Sequence, residues 1–235
     1  DVYKAYKIGK RYLVVLKGVK LEVERGESVA ILGKSGSGKT TLLNIIAGLD
    51  RPSYGHVYVD GVDLVYLSED ELARFRRSTI SFIFQSYNLI SELTALENVL
   101  LAQKARFGKT DRQKAMQILK LVGLEEHANH RPHELSGGQQ QRVAIAMALA
   151  KSPKLIIADE PTGALDSRTR EQVLDLLLEA KEKLGTTLLV VTHDEDVAKR
   201  MERIIRIKDG EIVEVGTRRP HPAVPDQSVL LSARG

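Results

Sequence analysis

Residues 33–40 read Gly-Lys-Ser-Gly-Ser-Gly-Lys-Thr, directly behind the apolar run Ser28–Leu32. The apolar run predicts a strand, and residues 40–47 predict a helix that ends at Gly48. In a glycine-rich loop between a strand and a helix, successive backbone N–H groups point inward, and the helix N-terminus adds partial positive charge. The segment therefore predicts a nucleoside triphosphate-binding loop, with a flexible glycine turn as the less favoured alternative.

The side chains of this loop have distinct expected tasks. The ammonium group of Lys39 is expected to hold the β- and γ-phosphates, and the hydroxyl of Thr40 is expected to ligate Mg²⁺. Backbone amides supply the other contacts. The residues expected to bind the nucleotide are Gly33, Lys34, Ser35, Gly36, Ser37, Gly38, Lys39, Thr40 and Thr41.

A second apolar run, residues 155–158, ends in the two carboxylates Asp159 and Glu160. Ligands of doubly wound sheets bind beyond the carboxyl ends of the strands, so these acids are expected to face the phosphate loop. Adjacent strand residues point to opposite sides, which allows two different roles. Asp159 suits the Mg²⁺ shell, and Glu160 suits a general base that activates water. The alternative is a strand that simply turns polar as it leaves the core.

Local signals place further helices and strands around these motifs. Asp60-Gly61 behind residues 55–59 predicts a hairpin, and Thr187–Thr192 predicts a strand. Residues 166–184 predict a helix that ends at Gly185 and has one apolar face. The predicted face consists of Val173, Leu176, Leu177, Ala180 and Leu184. Predicted capping boxes are Ser68 with Glu71, Thr110 with Gln113, and Ser136 with Gln139.

Residues 135–139 read Leu-Ser-Gly-Gly-Gln and open a helical segment, residues 140–150. Capping alone explains Ser136 and Gln139. It does not explain two glycines in the first turn, where each costs about 1 kcal/mol against alanine. The glycines predict that something approaches this backbone closely, and a phosphate at the helix N-terminus would do so.

With these motifs in this order, the chain resembles the ATPases of the ABC transporter family, and residues 135–139 resemble the signature motif of that family. The resemblance extends over about residues 2–216. It implies an α/β fold: a P-loop NTPase core with a parallel sheet, an N-terminal antiparallel β subdomain and an inserted α-helical subdomain. We expect residues 1–216 to form one domain, with the helical insert at about 90–150, and residues 217–235 to form a flexible tail.

The resemblance also implies roles for single residues, each with a plain structural alternative. Tyr6 matches the aromatic that stacks on adenine, or is an edge-strand tyrosine. Gln85 matches the glutamine that touches Mg²⁺ and the water, or is a polar strand end. Asp166 matches the loop that crosses the dimer interface, or is an N-cap. His193 matches the histidine that contacts the γ-phosphate, or is a structural histidine.

A head-to-tail dimer follows from the same resemblance. Each ATP is expected to lie between the phosphate loop of one copy and the start of the signature helix of the other, and a homodimer is expected because all motifs are present in one chain. The implied contact residues on the second copy are Ser136, Gly137, Gly138 and Gln139.

Softer signals suggest the branch of the family and its partners. Residues 94–99, 139–146 and 192–194 are similar to the branch that serves lipoprotein release, macrolide export and cell division, although Met147 stands where many relatives carry arginine. Integral membrane permease subunits are the implied partners, so the chain is expected on the cytoplasmic side of the membrane, held there by those subunits. The side chains expected either to line a docking groove or to belong to the core are Leu89, Ile90, Leu93 and Leu96.

Composition restricts the alternatives. The 35 Lys and Arg residues are interleaved with 31 Asp and Glu residues, which favours a solvated surface and predicts no nucleic-acid partner. There is no cysteine, which excludes disulfides and thiolate metal sites. A DNA-repair or chromosome-associated ATPase is the main rival, but such proteins insert a long coiled coil between the two glycine motifs. No sustained heptad pattern lies between Lys39 and Leu135.

Overall fold

A six-stranded sheet forms the centre of the part of the chain that the computed structural model describes, residues 1–216. The tail predicted at 217–235 lies outside the described residues. The strands are β1 (Val2–Ile8), β2 (Arg11–Val19), β3 (Ser28–Leu32), β4 (Tyr58–Val59), β5 (Val62–Asp63), β6 (Ile80–Phe84), β7 (Leu155–Asp159), β8 (Thr187–Thr192), β9 (Arg203–Lys208) and β10 (Glu211–Val215). The helices are α1 (Lys39–Ile46), α2 (Glu69–Thr79), α3 (Ala95–Phe107), α4 (Arg112–Leu121), α5 (Gly137–Ala150), α6 (Ser167–Leu184) and α7 (Glu195–Lys199).

The central sheet has the strand order β10-β9-β3-β8-β7-β6. All neighbours are parallel except β10, which pairs antiparallel with β9. Strands β1 and β2 form a separate antiparallel ribbon, and β4 and β5 form a short hairpin. The predicted α/β fold class is confirmed, while β9 and β10 were not predicted from the sequence.

Alternate residues of β3 serve two cores, one on each face of the sheet. Ala30 and Leu32 pack with the buried sides of α3 to α7, whereas Val29 and Ile31 pack with α1. Both faces are therefore covered, as is usual for a parallel sheet. Helices α3, α4 and α5 lie together on the face of the sheet that carries Ala30 and Leu32, and they share the core on that face.

Most local predictions match the structure. The strand Ser28–Leu32 is as predicted, α1 is displaced by one residue, and Asp60-Gly61 joins β4 to β5 with positive φ at both positions. The capping boxes at Ser68 and Ser136 are confirmed.

The box predicted at Thr110 is wrong, because Asp111 caps α4 and accepts a hydrogen bond from the amide of Lys114. Asp111 is itself a strong N-cap, so the helix begins one residue later. A box that was not predicted, Thr94 with Glu97, begins α3.

Helix α6 runs from Ser167 to Leu184, begins one residue after the predicted start, and ends at Gly185, whose φ is +61°. Its apolar face differs from the prediction. Leu184 is 46% exposed, while Leu174 and Lys181 are buried. The chain turns into β8 directly after Leu184, and Lys181 takes the inward position of the last turn.

We expect Lys181→Met to lower the free energy of unfolding by about 2–4 kcal/mol, because it leaves a carboxylate without its buried partner. The Lys181 side chain is 1% exposed and lies 2.8 Å from both Glu182 and Glu202. The matched control is Lys183→Met, whose exposed pair with Glu179 is worth less than about 0.5 kcal/mol. Urea denaturation measures both variants, and equal changes in the two would contradict the assignment.

Candidate active site

A cleft of about 980 Å³ opens at the carboxyl ends of β3, β6, β7 and β8. It is the place that the doubly wound arrangement predicts for a ligand. The predicted site residues that line it are Lys34, Ser35, Gly36, Gly38, Lys39, Thr40, Thr41, Gln85, Asp159, Glu160 and His193. The structure thus brings the phosphate loop, the acidic strand end, Gln85 and His193 together in one cleft.

The phosphate loop has a backbone that only glycine fits at key points. Gly36 and Gly38 have φ of +78° and +103°. A Cβ on Gly33 would lie 2.5 Å from the carbonyl oxygen of Ile207. Lys39 is buried and donates from Nζ to the carbonyls of Gly33 and Lys34, at 2.6 and 2.9 Å. The loop thus forms a cradle that holds a cation next to open space, which suits a polyphosphate.

Oxygen ligands suited to Mg²⁺ line the same cleft. Asp159 offers a carboxylate, Thr40 a hydroxyl and Gln85 an amide oxygen. Burial raises the pKa of the Asp159 carboxyl above its ordinary value, the charge of Glu160 raises it further, and Lys39 opposes both. A carboxylate in such a place gains from a nearby cation. The residues present therefore fit Mg²⁺.

Glu160 is held by two neighbours in an unusual backbone conformation. Its φ is +46°, a region that a residue with a Cβ occupies only when the surroundings enforce it. Thr192 Oγ1 donates to Oε2 at 3.1 Å, and His193 Nδ1 lies 2.6 Å from Oε1. The carboxylate is mostly buried, whereas the His193 ring is 67% exposed. These contacts orient both carboxylate oxygens of Glu160, and the exposed imidazole of His193 lies at the mouth of the cleft.

Gln85 connects the cleft with two neighbouring loops. Its amide lies against Gly163, where a Cβ would be 2.8 Å from Nε2. The chain then passes through Tyr87 and Asn88, both with positive φ, and the Tyr87 hydroxyl lies against Gly137. Sequence patterns did not indicate Gly163 or Tyr87, because both contacts join segments far apart in the chain.

The start of α5 has a different neighbour from the one the sequence suggested. Ser136 and Gln139 form the predicted capping box, with amide-to-side-chain distances of 2.9 and 3.3 Å. A Cβ on Gly138, however, would lie 2.3 Å from Cγ2 of Thr169, on α6 of the same chain. Packing inside the chain therefore gives a second reason for glycine at position 138, and the contact of this segment with a phosphate stays a prediction.

Other predicted residues lie away from the cleft lining. Among the described residues that line the cleft, none belongs to Ser136–Gln139. Asp166 caps α6 and accepts from the amides of Arg168 and Thr169. Hydrogen bonds from Thr169 hold the pKa of the Asp166 carboxyl below its ordinary value. Gly33 and Ser37 belong to the loop but do not line the cleft, and Ser37 is buried.

Tyr6 is not among the described residues that line the cleft, and its hydroxyl is bound to Asp50. The hydroxyl donates to Asp50 Oδ2 at 2.6 Å, and Lys4 Nζ lies 4.7 Å from the ring centre. Burial, followed by the hydrogen bond to Asp50, raises the pKa of the phenol.

A histidine that the sequence reasoning missed contacts the signature segment. Gln139 Nε2 lies 3.1 Å from Nε2 of His127, so the amide donates and the ring nitrogen accepts. The Gln139 amide is thus fixed at both ends, by Ser136 and by His127. A lone histidine carries no local signal for such a contact.

Comparison with known proteins identifies a family and relatives of this chain. Residues 16–163 match the family described as ABC transporter. The chain is 52% identical over 218 residues to an uncharacterized ABC transporter ATP-binding protein of Methanocaldococcus jannaschii, covering 90% of this chain and 93% of that protein. It is 46% identical to the lipoprotein-releasing system ATP-binding protein LolD of Bdellovibrio bacteriovorus, covering 90% and 97%.

The fold of the chain is also similar to that of a solved structure. A dimeric structure of the same archaeal protein, in a post-hydrolysis state bound to ADP and Pi, has a TM-score of 0.84 and 49% identity. The match covers 94% of this chain and 97% of that one. In residues 1–216 there is no helix with the length and apolar content that crossing a bilayer requires.

Proposed function

We propose, from the premise that this chain belongs to the ABC transporter family, that it works as one of two ATPase subunits in a head-to-tail homodimer docked on membrane permease subunits. As a member of that family it is an ATP-binding cassette that hydrolyses ATP to ADP and phosphate. The relatives favour this function over a DNA-repair ATPase. Residues 1–216 are proposed as one domain, with the helical region α3 to α5 inserted in it.

The observation that carries the proposal is the position of Glu160 beside the phosphate cradle. Its carboxylate is oriented by Thr192 and His193 and lines the same cleft as Lys39. In our proposal Glu160 takes a proton from the attacking water, and Lys39 balances charge on the phosphates. His193 both orients the base and reaches the γ-phosphate.

The proposed metal is Mg²⁺, held by Thr40, Gln85 and Asp159. When bound it neutralises charge that develops on the phosphate oxygens. Tyr6 is proposed to stack on the adenine, with its hydroxyl anchored by Asp50. The remaining residues from Gly33 to Thr41 contact the phosphates through the backbone and short side chains.

Dimerisation explains why the signature segment lies outside the cleft of its own chain. Ser136 to Gln139 begin a helix whose first amides suit a phosphate, yet none of these residues lines the cleft within residues 1–216. A second copy in head-to-tail orientation supplies that surface, with Asp166 near the crossing. The dimeric, ADP- and Pi-bound structure of the archaeal relative supports this arrangement.

The proposed permease partners place the chain at the cytoplasmic face of the membrane. The name of the LolD relative, a lipoprotein-releasing system component, supports such partners. Of the four apolar candidates for the docking groove, Leu96 is 2% exposed and belongs to the core, whereas Ile90 is 40% exposed. Ile90 is therefore the candidate contact.

We expect Ile90→Asp to abolish co-purification of a polytopic membrane protein while basal ATP hydrolysis by the isolated chain stays unchanged. The exposed side chain contributes to a partner surface and little to the core. The experiment is affinity purification from detergent-solubilised native membranes, with mass spectrometry of the bound proteins. Leu96→Asp is the control and is expected to unfold the chain. Loss of folding in the Ile90 variant, or unchanged co-purification, would contradict the docking proposal.

A further inference from the structure

The β1–β2 ribbon has a buried base and a tip that projects into solvent. At the base, Leu16 is fully buried and Val19 is 3% exposed. At the tip, the paired residues Lys7 and Tyr12 lie on one face of the ribbon, and Ile8 and Arg11 lie on the other. All four side chains are exposed, so both faces of the tip are open.

This ribbon carries an unusual concentration of positive charge. Between residues 2 and 21 there are six Lys or Arg residues and no Asp or Glu. The net charge of the whole chain is +4, so the rest of the chain has a net charge of −2. Within residues 1–216, the cations of the ribbon that have no carboxylate within 4.0 Å are Lys7, Lys10, Arg11, Lys17 and Lys20.

Large apolar side chains are exposed among these cations. Ile8, Tyr12 and Leu13 are 60%, 70% and 52% exposed, and Val14 beside them is 46% exposed. Ile8 and Leu13 lie on the face that carries Arg11, and Tyr12 and Val14 lie on the face that carries Lys7. Each face of the tip therefore exposes apolar side chains next to a cation, and grouped exposed apolar side chains mark contact sites. The tip therefore combines an apolar end with a basic rim.

We propose that the tip of the β1–β2 ribbon contacts an anionic phospholipid surface directly. Lys and Arg next to a bilayer are attracted to anionic headgroups, and they keep their charges at the headgroup level while apolar and aromatic neighbours enter the interface. Electrostatic steering of ATP would use the cations but not the aliphatic side chains. A nucleic acid would use the cations and Tyr12 but would leave Ile8 and Leu13 in water.

The test is co-sedimentation of the purified full chain with vesicles, without any permease. We expect binding to vesicles of mixed phosphatidylcholine and phosphatidylglycerol, weak binding to phosphatidylcholine alone, and release at high salt. The triple variant Lys7→Glu, Lys10→Glu and Arg11→Glu is expected to lower the partition constant by more than about tenfold. Ile8→Ser with Leu13→Ser is expected to lower it as well.

The matched control reverses three exposed cations elsewhere, Arg74, Lys109 and Lys208, and is expected to bind like the unaltered chain. Basal ATP hydrolysis reports that every variant is folded, and it does not depend on lipid. No binding to anionic vesicles, or equal loss in the control, would overturn the proposal. It would also be overturned if the triple variant lost affinity for single-stranded DNA or for ATP while keeping its affinity for vesicles.

Discussion

Replacement of Glu160 by glutamine is expected to lower ATP turnover by roughly 10²- to 10⁴-fold and to leave an ATP-loaded dimer that persists. Glutamine has nearly the same shape, so the contacts at Thr192 and His193 keep the side chain in place. It cannot accept a proton from water at neutral pH, so only the chemical step is lost. ATP then remains at the interface, where its γ-phosphate holds the two copies together.

Phosphate release measures the turnover, and light scattering with ATP measures the dimer. Glu179→Gln is the control, because Glu179 is 58% exposed, pairs with Lys183 on α6 and does not line the cleft. It is expected to hydrolyse ATP normally. Retained turnover in the Glu160 variant would show that the base lies elsewhere. A variant without turnover that stays monomeric with ATP at high concentration would contradict the proposed dimer.

The fold was predictable where a local pattern agrees with the tertiary structure. Ser28–Leu32 is buried throughout because both of its faces are covered, and Gly36 and Gly38 behind it have positive φ in the phosphate loop. The two ends of α6 were also predictable, because Asp166 is a good N-cap and Gly185 readily adopts the left-handed conformation at a helix end. These signals depend only on near neighbours in the chain.

Positions that depend on distant contacts could not be predicted. Lys181 looks like a solvent-facing lysine, but Glu202 balances it inside the fold. Asp111 rather than Thr110 caps α4. This error is local, because two good N-cap residues stand in succession and the sequence does not decide which of them begins the helix. In the site, Gln85 and His193 were found only through the resemblance to a family. Their contacts with Gly163 and Glu160 arise from how the strands are ordered.

The second large effect is expected at Gly138. Gly138→Ala should lower the free energy of unfolding by about 1–3 kcal/mol and ATP hydrolysis by at least about tenfold, because the new methyl group overlaps Thr169. A Cβ placed on Gly138 would lie only 2.3 Å from Cγ2 of Thr169. Thr169 cannot turn away without cost, because a β-branched side chain on a helix has few allowed χ1 rotamers and its backbone is fixed by the amide bond to Asp166. The helix start must therefore move.

The double variant Gly138→Ala with Thr169→Ser separates packing inside the chain from contact with ATP. Serine removes the overlapping methyl group and keeps the hydroxyl, and the nearest remaining atom is Thr169 Cβ, at an ordinary contact distance of 3.7 Å. Because the added methyl group points toward α6 of its own chain, we expect both the unfolding midpoint and most of the ATPase activity to return. Urea denaturation and phosphate release measure the two properties, with Thr169→Ser alone as the control. Restored stability without hydrolysis would instead mean that the glycine is needed where the partner's ATP meets the signature helix.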